Sequence, residues 1–215
     1  MAIWLNEFFS GFDLFFGGAW NALAKSAGAF FNPFFLVITF LGEKGIIFFA
    51  LGLVLLLFKK TRACGICVIG AVGLGAIITN LILKDLVARP RPFTVSPYDE
   101  WWVTAGQNPE DGFSFPSGHI TAIASASLAV ILVWGKKWIL PGVGATALMC
   151  VSRCYLTAHY SSDALVACIV GAVSAVIAFF ITKLIFYICE KNKDKKFFDF
   201  ILNFDICAKK EKENA

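Results

Sequence analysis

Charge is in short supply in this sequence: 16% of its 215 residues are Asp, Glu, Lys or Arg, where an ordinary soluble domain has about 25%. With 58% hydrophobic residues and a mean hydropathy of +0.74, the deficit excludes disorder and coiled coil, both of which depend on charged residues. Glycine and proline number 18 and 7 and are scattered, too few for collagen. Histidine is scarcer still. There are two, His119 and His159, so imidazole chemistry near neutral pH has only these candidates. A basic start is missing as well, and Glu7 and Asp13 fall between Met1 and Phe16, which is not the pattern of a cleaved signal peptide.

Seven cysteines, at positions 64, 67, 150, 154, 168, 189 and 207, form an odd set lying almost entirely in or beside apolar runs. Disulfide frameworks belong to small secreted chains, so buried thiols are expected. Cys64 and Cys67 have the spacing of a redox pair, but they open an apolar helix where a redox motif would follow a strand.

Hydrophobic runs dominate what is present. Residues 3–24 set Trp4, Phe8, Phe9, Phe15, Phe16 and Trp20 among polar residues, as suits an aromatic helix at the bilayer interface or the lower part of a first span. Apolar runs follow at about 27–41, 45–58, 63–83, 120–134, 138–156 and 164–189. A crossing takes about 20 residues, so the chain has room for these spans and for no separate soluble domain. The expected architecture is all-α, a polytopic six-transmembrane-helix bundle with an N-terminal interfacial helix (1–26), a six-span domain (27–189) and a charged tail (190–215). Lys59, Lys60, Arg62, Lys136, Lys137 and the tail lysines 191, 193, 195, 196, 209, 210 and 212 fall on one side. By the positive-inside rule that side is cytoplasmic, with both termini inside. The opposite side carries Lys44, Lys84, Arg89, Arg91 and Arg153 against seven acids, a local balance of −2 around a basic knot. Residues 197–206 suggest a short amphipathic helix with no chemistry of its own.

Three segments converge on that outer side and hold most of its polar residues; ionisable groups at membrane depth are functional suspects. Lys84 to Pro92 (KDLVARPRP) puts three cations where a helix runs out and a proline pair forces an extended exit. Snorkelling lysine and arginine at a helix end would look the same. Phe115 to His119 (FPSGH) begins the fourth span, with Ser117 at the N-cap and the Gly118 and His119 amides at the positive end of the helix dipole, ready for an anion. Ser152 to Asp163 (SRCYLTAHYSSD) places His159 and Asp163 four apart, so that on a helical turn the carboxylate would face the imidazole and fix its tautomer. Arg153 would enter the same pocket from the end of the fifth span.

Taken together, Lys84, Arg91 and Pro92, then residues 116–119, then Ser152, Arg153, His159 and Asp163, resemble the three motifs of the type 2 phosphatidic acid phosphatase superfamily, in order and without mismatch. The resemblance implies metal-independent hydrolysis of a phosphate ester or anhydride. His159 would be the nucleophile, Asp163 its support and His119 the general acid and then base. Lys84, Arg91, Arg153, Ser117 and Gly118 would bind the phosphoryl oxygens. Arg89 lies outside the motif positions and is left between binding a second phosphate, binding a lipid headgroup and simply sitting at the interface. No metal and no cofactor enter this account, since both histidines are already assigned and the acids of the 85–116 loop lack ligand spacing.

Tyr98, Trp101 and Trp102 are membrane-belt types, so the expected partners are the bilayer and a lipid phosphate, with no nucleic acid. By family analogy undecaprenyl diphosphate is the first candidate substrate, then phosphatidylglycerophosphate or phosphatidate. Two rivals were weighed. An anion transporter would need cations through the depth of several spans, whereas the second and fourth carry no internal charge. A vanadate-dependent haloperoxidase would share the anion pocket but would be soluble.

Overall fold

The computed structural model describes residues 1–207, which are all helical with connecting turns. Lys209, Lys210 and Lys212 of the tail lie outside the described residues. The aromatic N-terminal segment and the first apolar run form one helix, α1 (Ala2–Leu41), bent where Ala27 leaves helical geometry (φ −142°, ψ 23°). After a short 3-10 turn (Glu43–Gly45) come α2 (Ile46–Leu56) and α3 (Arg62–Ala76). The latter continues through a π-helical stretch (Ile77–Leu83) into α4 (Lys84–Val87). A surface helix, α5 (Tyr98–Thr104), lies in the long polar connection. The chain then runs through α6 (Gly118–Trp134), α7 (Ile139–Tyr155), α8 (Ser161–Lys191) and α9 (Lys196–Asn203).

Among the described residues, three helical stretches are long and apolar enough to cross a membrane: Ala2–Leu41, Arg62–Thr94 and Ser161–Lys191; Ile46–Leu56 and Gly118–Trp134 are shorter apolar helices. Their outward faces are greasy. On α8, Ile169, Phe180 and Leu184 are more than half exposed, an arrangement suited to lipid contact.

The interior is built from small side chains. Cys64, Cys67, Val68 and Ala71 of α3 pack on Ala122, Ala126 and Ala129 of α6 and on Ala175 and Ala178 of α8. Gly75 and Gly171 let these helices approach closely. A Cβ at Gly171 would lie 2.7 Å from Ala124 and 2.9 Å from the Thr121 carbonyl oxygen, and one at Gly75 would lie 2.9 Å from Ser125 and Thr121. Helices cannot draw together by hydrophobic exclusion in lipid, so close packing of small residues supplies the attraction. The seven cysteines are unpaired; Cys64, Cys67, Cys154 and Cys189 are buried, Cys150 and Cys168 partly so, and Cys207 is exposed.

At the other end, the tail helix is tied down. Arg62 donates from Nη1 to the Ile201 carbonyl (2.7 Å) and from Nη2 to that of Phe204. Lys59 Nζ reaches Asn203 at 2.7 Å. These bonds satisfy the C-terminal carbonyls of a helix that would otherwise fray.

Candidate active site

The three polar segments meet in one cavity of about 860 Å³. Lys84, Arg91, Gly118, His119 and His159 line it together with Glu110, Asn80 and Glu43. Leu36, Phe40, Val72, Ala76 and Ala122 form an apolar wall in the same space.

Each segment reaches the cavity for a local reason. The π-helical stretch widens the turn just before Lys84 and brings Asn80 and Lys84 to the same wall; such bulges recur at functional positions. Ala88 then takes a left-handed conformation (φ 51°, ψ 42°), ending α4. The following residues run extended toward the prolines, as a residue before proline must, and side chains two apart in extended chain leave the same face. Even so, the Arg89 and Arg91 guanidinia find different neighbours. Arg91 is fastened on the cavity side, donating to the carbonyls of Asp111 (2.7 Å), Gly112 (3.1 Å) and Ala158 (3.0 Å). Its Nη1 lies 3.4 Å from His159 Nε2. A guanidinium can only donate, so that contact requires a lone pair on Nε2 and places the ring proton on Nδ1.

Arg89, weighed as a headgroup contact, is corrected to an internal residue. It is 1% exposed and does not line the cavity. Its guanidinium is consumed by Asn6 Oδ1, Ser162 Oγ, Asp163 Oδ1 and Asp13 Oδ2, all within 2.8 Å, and it lies 3.8 Å from the centre of the Tyr160 ring.

The pairing of His159 with Asp163 is also refined. His159 is not on a helical turn; it precedes α8, whose N-cap is Tyr160. Asp163 stands at the third position of α8 and accepts from the Tyr160 amide at 3.1 Å, one half of a capping box. Its carboxylate also accepts from Ser114 Oγ, and its Oδ2 is 3.7 Å from His159 Nδ1. That is ion-pair reach and longer than a hydrogen bond, as catalytic contacts often are before substrate binds. Burial first, then the positive charge of Arg153 and Arg91, holds the His159 pKa well below its ordinary value, so the ring is neutral near pH 7.

Ser117 occupies the N-cap of α6 as expected, but its hydroxyl makes no capping bond. The hydroxyl is instead one of a set of buried polar atoms, with His119 Nε2, Arg153 Nε and His159 Nδ1, that find no hydrogen-bond partner among the described residues. His119 and His159 line the cavity, and unpartnered atoms concentrated in these motif residues fit a polar ligand site, since buried polar groups are otherwise almost always paired. His119 Nε2 lies 3.4 Å from Glu43 Oε2, close enough for an ion pair but not aligned for a hydrogen bond. Arg153 is wholly buried, with Nη1 3.3 Å from Thr39 Oγ1 and Nη2 on Glu110.

Glu110 was not anticipated. Its carboxylate bridges Arg153 and Arg91, the latter at 2.9 Å. Burial alone would raise its pKa, but Arg153, His159 and Arg91 outweigh burial and hold it down to about 2. Nothing local distinguishes Glu110 from its neighbours Asp111 and Glu100. Asp13 and Asn6 were missed as well, although a lone carboxylate amid Phe12, Phe15 and Phe16 was a signal, because a charge in an apolar helix needs a partner.

With this geometry in view, comparison with known proteins decides the family. Residues 64–188 match the PAP2 superfamily. The chain belongs to that superfamily. An undecaprenyl-diphosphatase of Sulfolobus acidocaldarius is 31% identical over 120 residues, 55% of this chain and 55% of that protein. The chain thus matches about half the length of that relative. The crystal structure of Aquifex aeolicus LpxE superposes with a TM-score of 0.62 at 20% identity, covering 75% of this chain and 92% of that one, and so shares the fold. The PAP2 match takes in all three polar segments and leaves α1 and α2 outside it.

Proposed function

We propose that this protein hydrolyses the phosphate or diphosphate group of a membrane lipid through a phosphohistidine on His159, at a site on the extracytoplasmic face. The observation that carries the reading is the cavity itself, where Lys84, Arg91, His119 and His159 share one space with an apolar wall. A cavity lined by both polar and apolar side chains fits a substrate with a phosphoryl head and a hydrocarbon body.

The neutral His159 has its lone pair on Nε2, the nitrogen beside Arg91. That pair forms the N–P bond while the bond from phosphorus to the leaving oxygen breaks. His119 gives its proton to that oxygen, then takes one from the water that attacks the phosphohistidine, releasing inorganic phosphate and freeing the His159 nitrogen. Lys84, Arg91 and Arg153, with the Gly118 amide and Ser117 hydroxyl, hold the phosphoryl oxygens and their developing charge. No step requires a metal ion.

Undecaprenyl diphosphate is the preferred substrate, supported by the name of the Sulfolobus relative, with phosphatidylglycerophosphate and phosphatidate as the alternatives. Both termini are assigned to the cytoplasm from the lysine-rich turns and tail.

Purified protein in detergent should release phosphate from at least one of these lipids with EDTA present, and denaturing quench should trap acid-labile phosphate on the protein. Activity lost to chelation and restored by magnesium would exclude the metal-free route. A Cys replacing Ser96, in a background without reactive thiols, should react with an impermeant reagent on whole cells; reaction only after lysis reverses the topology.

A further inference from the structure

The histidine assigned as nucleophile is backed by more than the carboxylate beside it. Asp163 does not carry a free charge, because Arg89 Nη1 bonds its Oδ1 at 2.5 Å. A carboxylate neutralised by a guanidinium exerts little field on a neighbouring imidazole. Arg89, however, is shared. Its Nη2 donates to Asp13 Oδ2 at 2.8 Å, and Asp13 also accepts from the Ser162 amide (2.8 Å) and hydroxyl (2.7 Å). Asp13, Arg89 and Asp163 are 3%, 1% and 0% exposed, so water screens none of them. Two anions and one cation sit behind the His159 ring, one net negative charge. Asp13 and His159 also border the same small void.

We propose that Asp13, on α1, is a positioning residue for the phosphatase reaction. It takes up half of the Arg89 charge, so that Asp163 retains negative field at His159 Nδ1 and holds the ring with Nε2 toward the cavity. The inference rests on the phosphohistidine reading. It makes the N-terminal helix, which lies outside the stretch matched to the family, a working part of the site. A carboxylate is a poor choice for merely docking that helix, since an apolar side chain would pack there without desolvating a charge. The docking itself is already provided: Leu5 packs with Val87 and Phe115. Gly17, one turn beyond Asp13, lets α1 approach so closely that a Cβ would stand 2.7 Å from Trp101 and 2.9 Å from Tyr98.

The test compares wild type, Asp13→Asn, and the double variant Asp13→Asn/Arg89→Gln for kcat, KM and thermal midpoint, on whichever lipid phosphate the wild type turns over best. Asparagine keeps shape and an acceptor while removing the charge. Its kcat should fall about 10- to 100-fold, the size of loss that follows removal of the outer partner of a functional histidine, with KM within about twofold. The double variant restores one net negative charge and should regain about tenfold of that loss. A structural role predicts the reverse order, with the double variant worse than the single. That order, or an unchanged kcat in folded Asp13→Asn, overturns the proposal. If Asp13→Asn does not fold, the double variant decides: kcat within about tenfold of wild type supports the proposal, and kcat reduced to that of Asp163→Asn overturns it. Failure of both to fold makes Asp13 a structural residue and also overturns it. Full turnover by His159→Ala would instead refute the phosphohistidine reading, and is measured first.

Discussion

The two sides of His159 are built on opposite principles. Toward the cavity, polar atoms are held in place but left unsaturated: Ser117 Oγ, His119 Nε2 and Arg153 Nε lack partners, and Arg91 keeps its Nη1 beside the His159 nitrogen. Behind the ring, beyond His159 Nδ1 itself, the groups are saturated. Asp163 accepts from Ser114, Tyr160 and Arg89, and Arg89 donates to four side chains. Unsatisfied polar atoms in a buried place are unstable unless a ligand completes them, whereas a saturated network is rigid and specifies one arrangement. Binding therefore belongs to the front and alignment to the back, with the imidazole as the divider.

The comparison breaks most visibly at the divider itself. His159→Ala removes the proposed nucleophile and should lower phosphate release by about a thousandfold or more, with no acid-labile phosphate left on the protein; normal trapping in this variant would place the nucleophile elsewhere. On the front, His119→Ala should slow lipid phosphates by about 10²- to 10⁴-fold, the range of general acid catalysis, and activated aryl phosphates far less. Equal losses on both leaving groups would remove His119 from that role.

The two arginines of one short segment sharpen the contrast further. Arg91→Lys keeps a charge but loses the fork that bonds three carbonyls, so KM and the vanadate inhibition constant should rise about tenfold with little change in thermal midpoint. Arg89→Met leaves two carboxylates buried without their cation and should destabilise the fold by about 3–5 kcal/mol, measurable as a lowered unfolding midpoint in detergent. If instead Arg89→Met weakened vanadate binding while leaving stability intact, the front and back assignments would be exchanged.

How much of this was readable beforehand follows the range of each interaction. The apolar runs were legible because a helix in lipid must be hydrophobic along its own length, and the helices stand where those runs lie. Lys84, Arg91, His119 and His159 were legible because each sits in a short segment with strong local constraints, such as a proline pair or a helix start. The role of Arg89 was not. Its partner Asp13 is 76 residues away, and a single residue, Pro90, separates Arg89 from Arg91 in a stretch whose spacing says nothing about which one faces the cavity. The widened π turn before Lys84 was invisible too, since Ile77–Leu83 reads as ordinary apolar helix. Glu110 is the plainest case, one acid among several in a polar connection, singled out only when Arg91, from the extended segment after α4, and Arg153, from α7, come together.

Glu110 also yields the smallest and most discriminating prediction, because it is the anion that bridges the two arginines of the front. Its carboxylate lies across Arg91 and Arg153, the geometry in which paired guanidinia would grip two phosphoryl oxygens. Its folded pKa of about 2 lies below the ordinary 4.5, so its contribution is complete above pH 4.5 and is lost only as the pH falls through about 2; at working pH the carboxylate is always charged and a phosphoryl group must displace it. Glu110→Gln keeps the shape and removes that competition, so the vanadate inhibition constant should fall about tenfold, equivalent to ~1.4 kcal/mol, with kcat changing less. If the constant rises instead, Glu110 is holding the two arginines in place for the phosphoryl group, and the front would have to be regarded as prearranged in the same manner as the back.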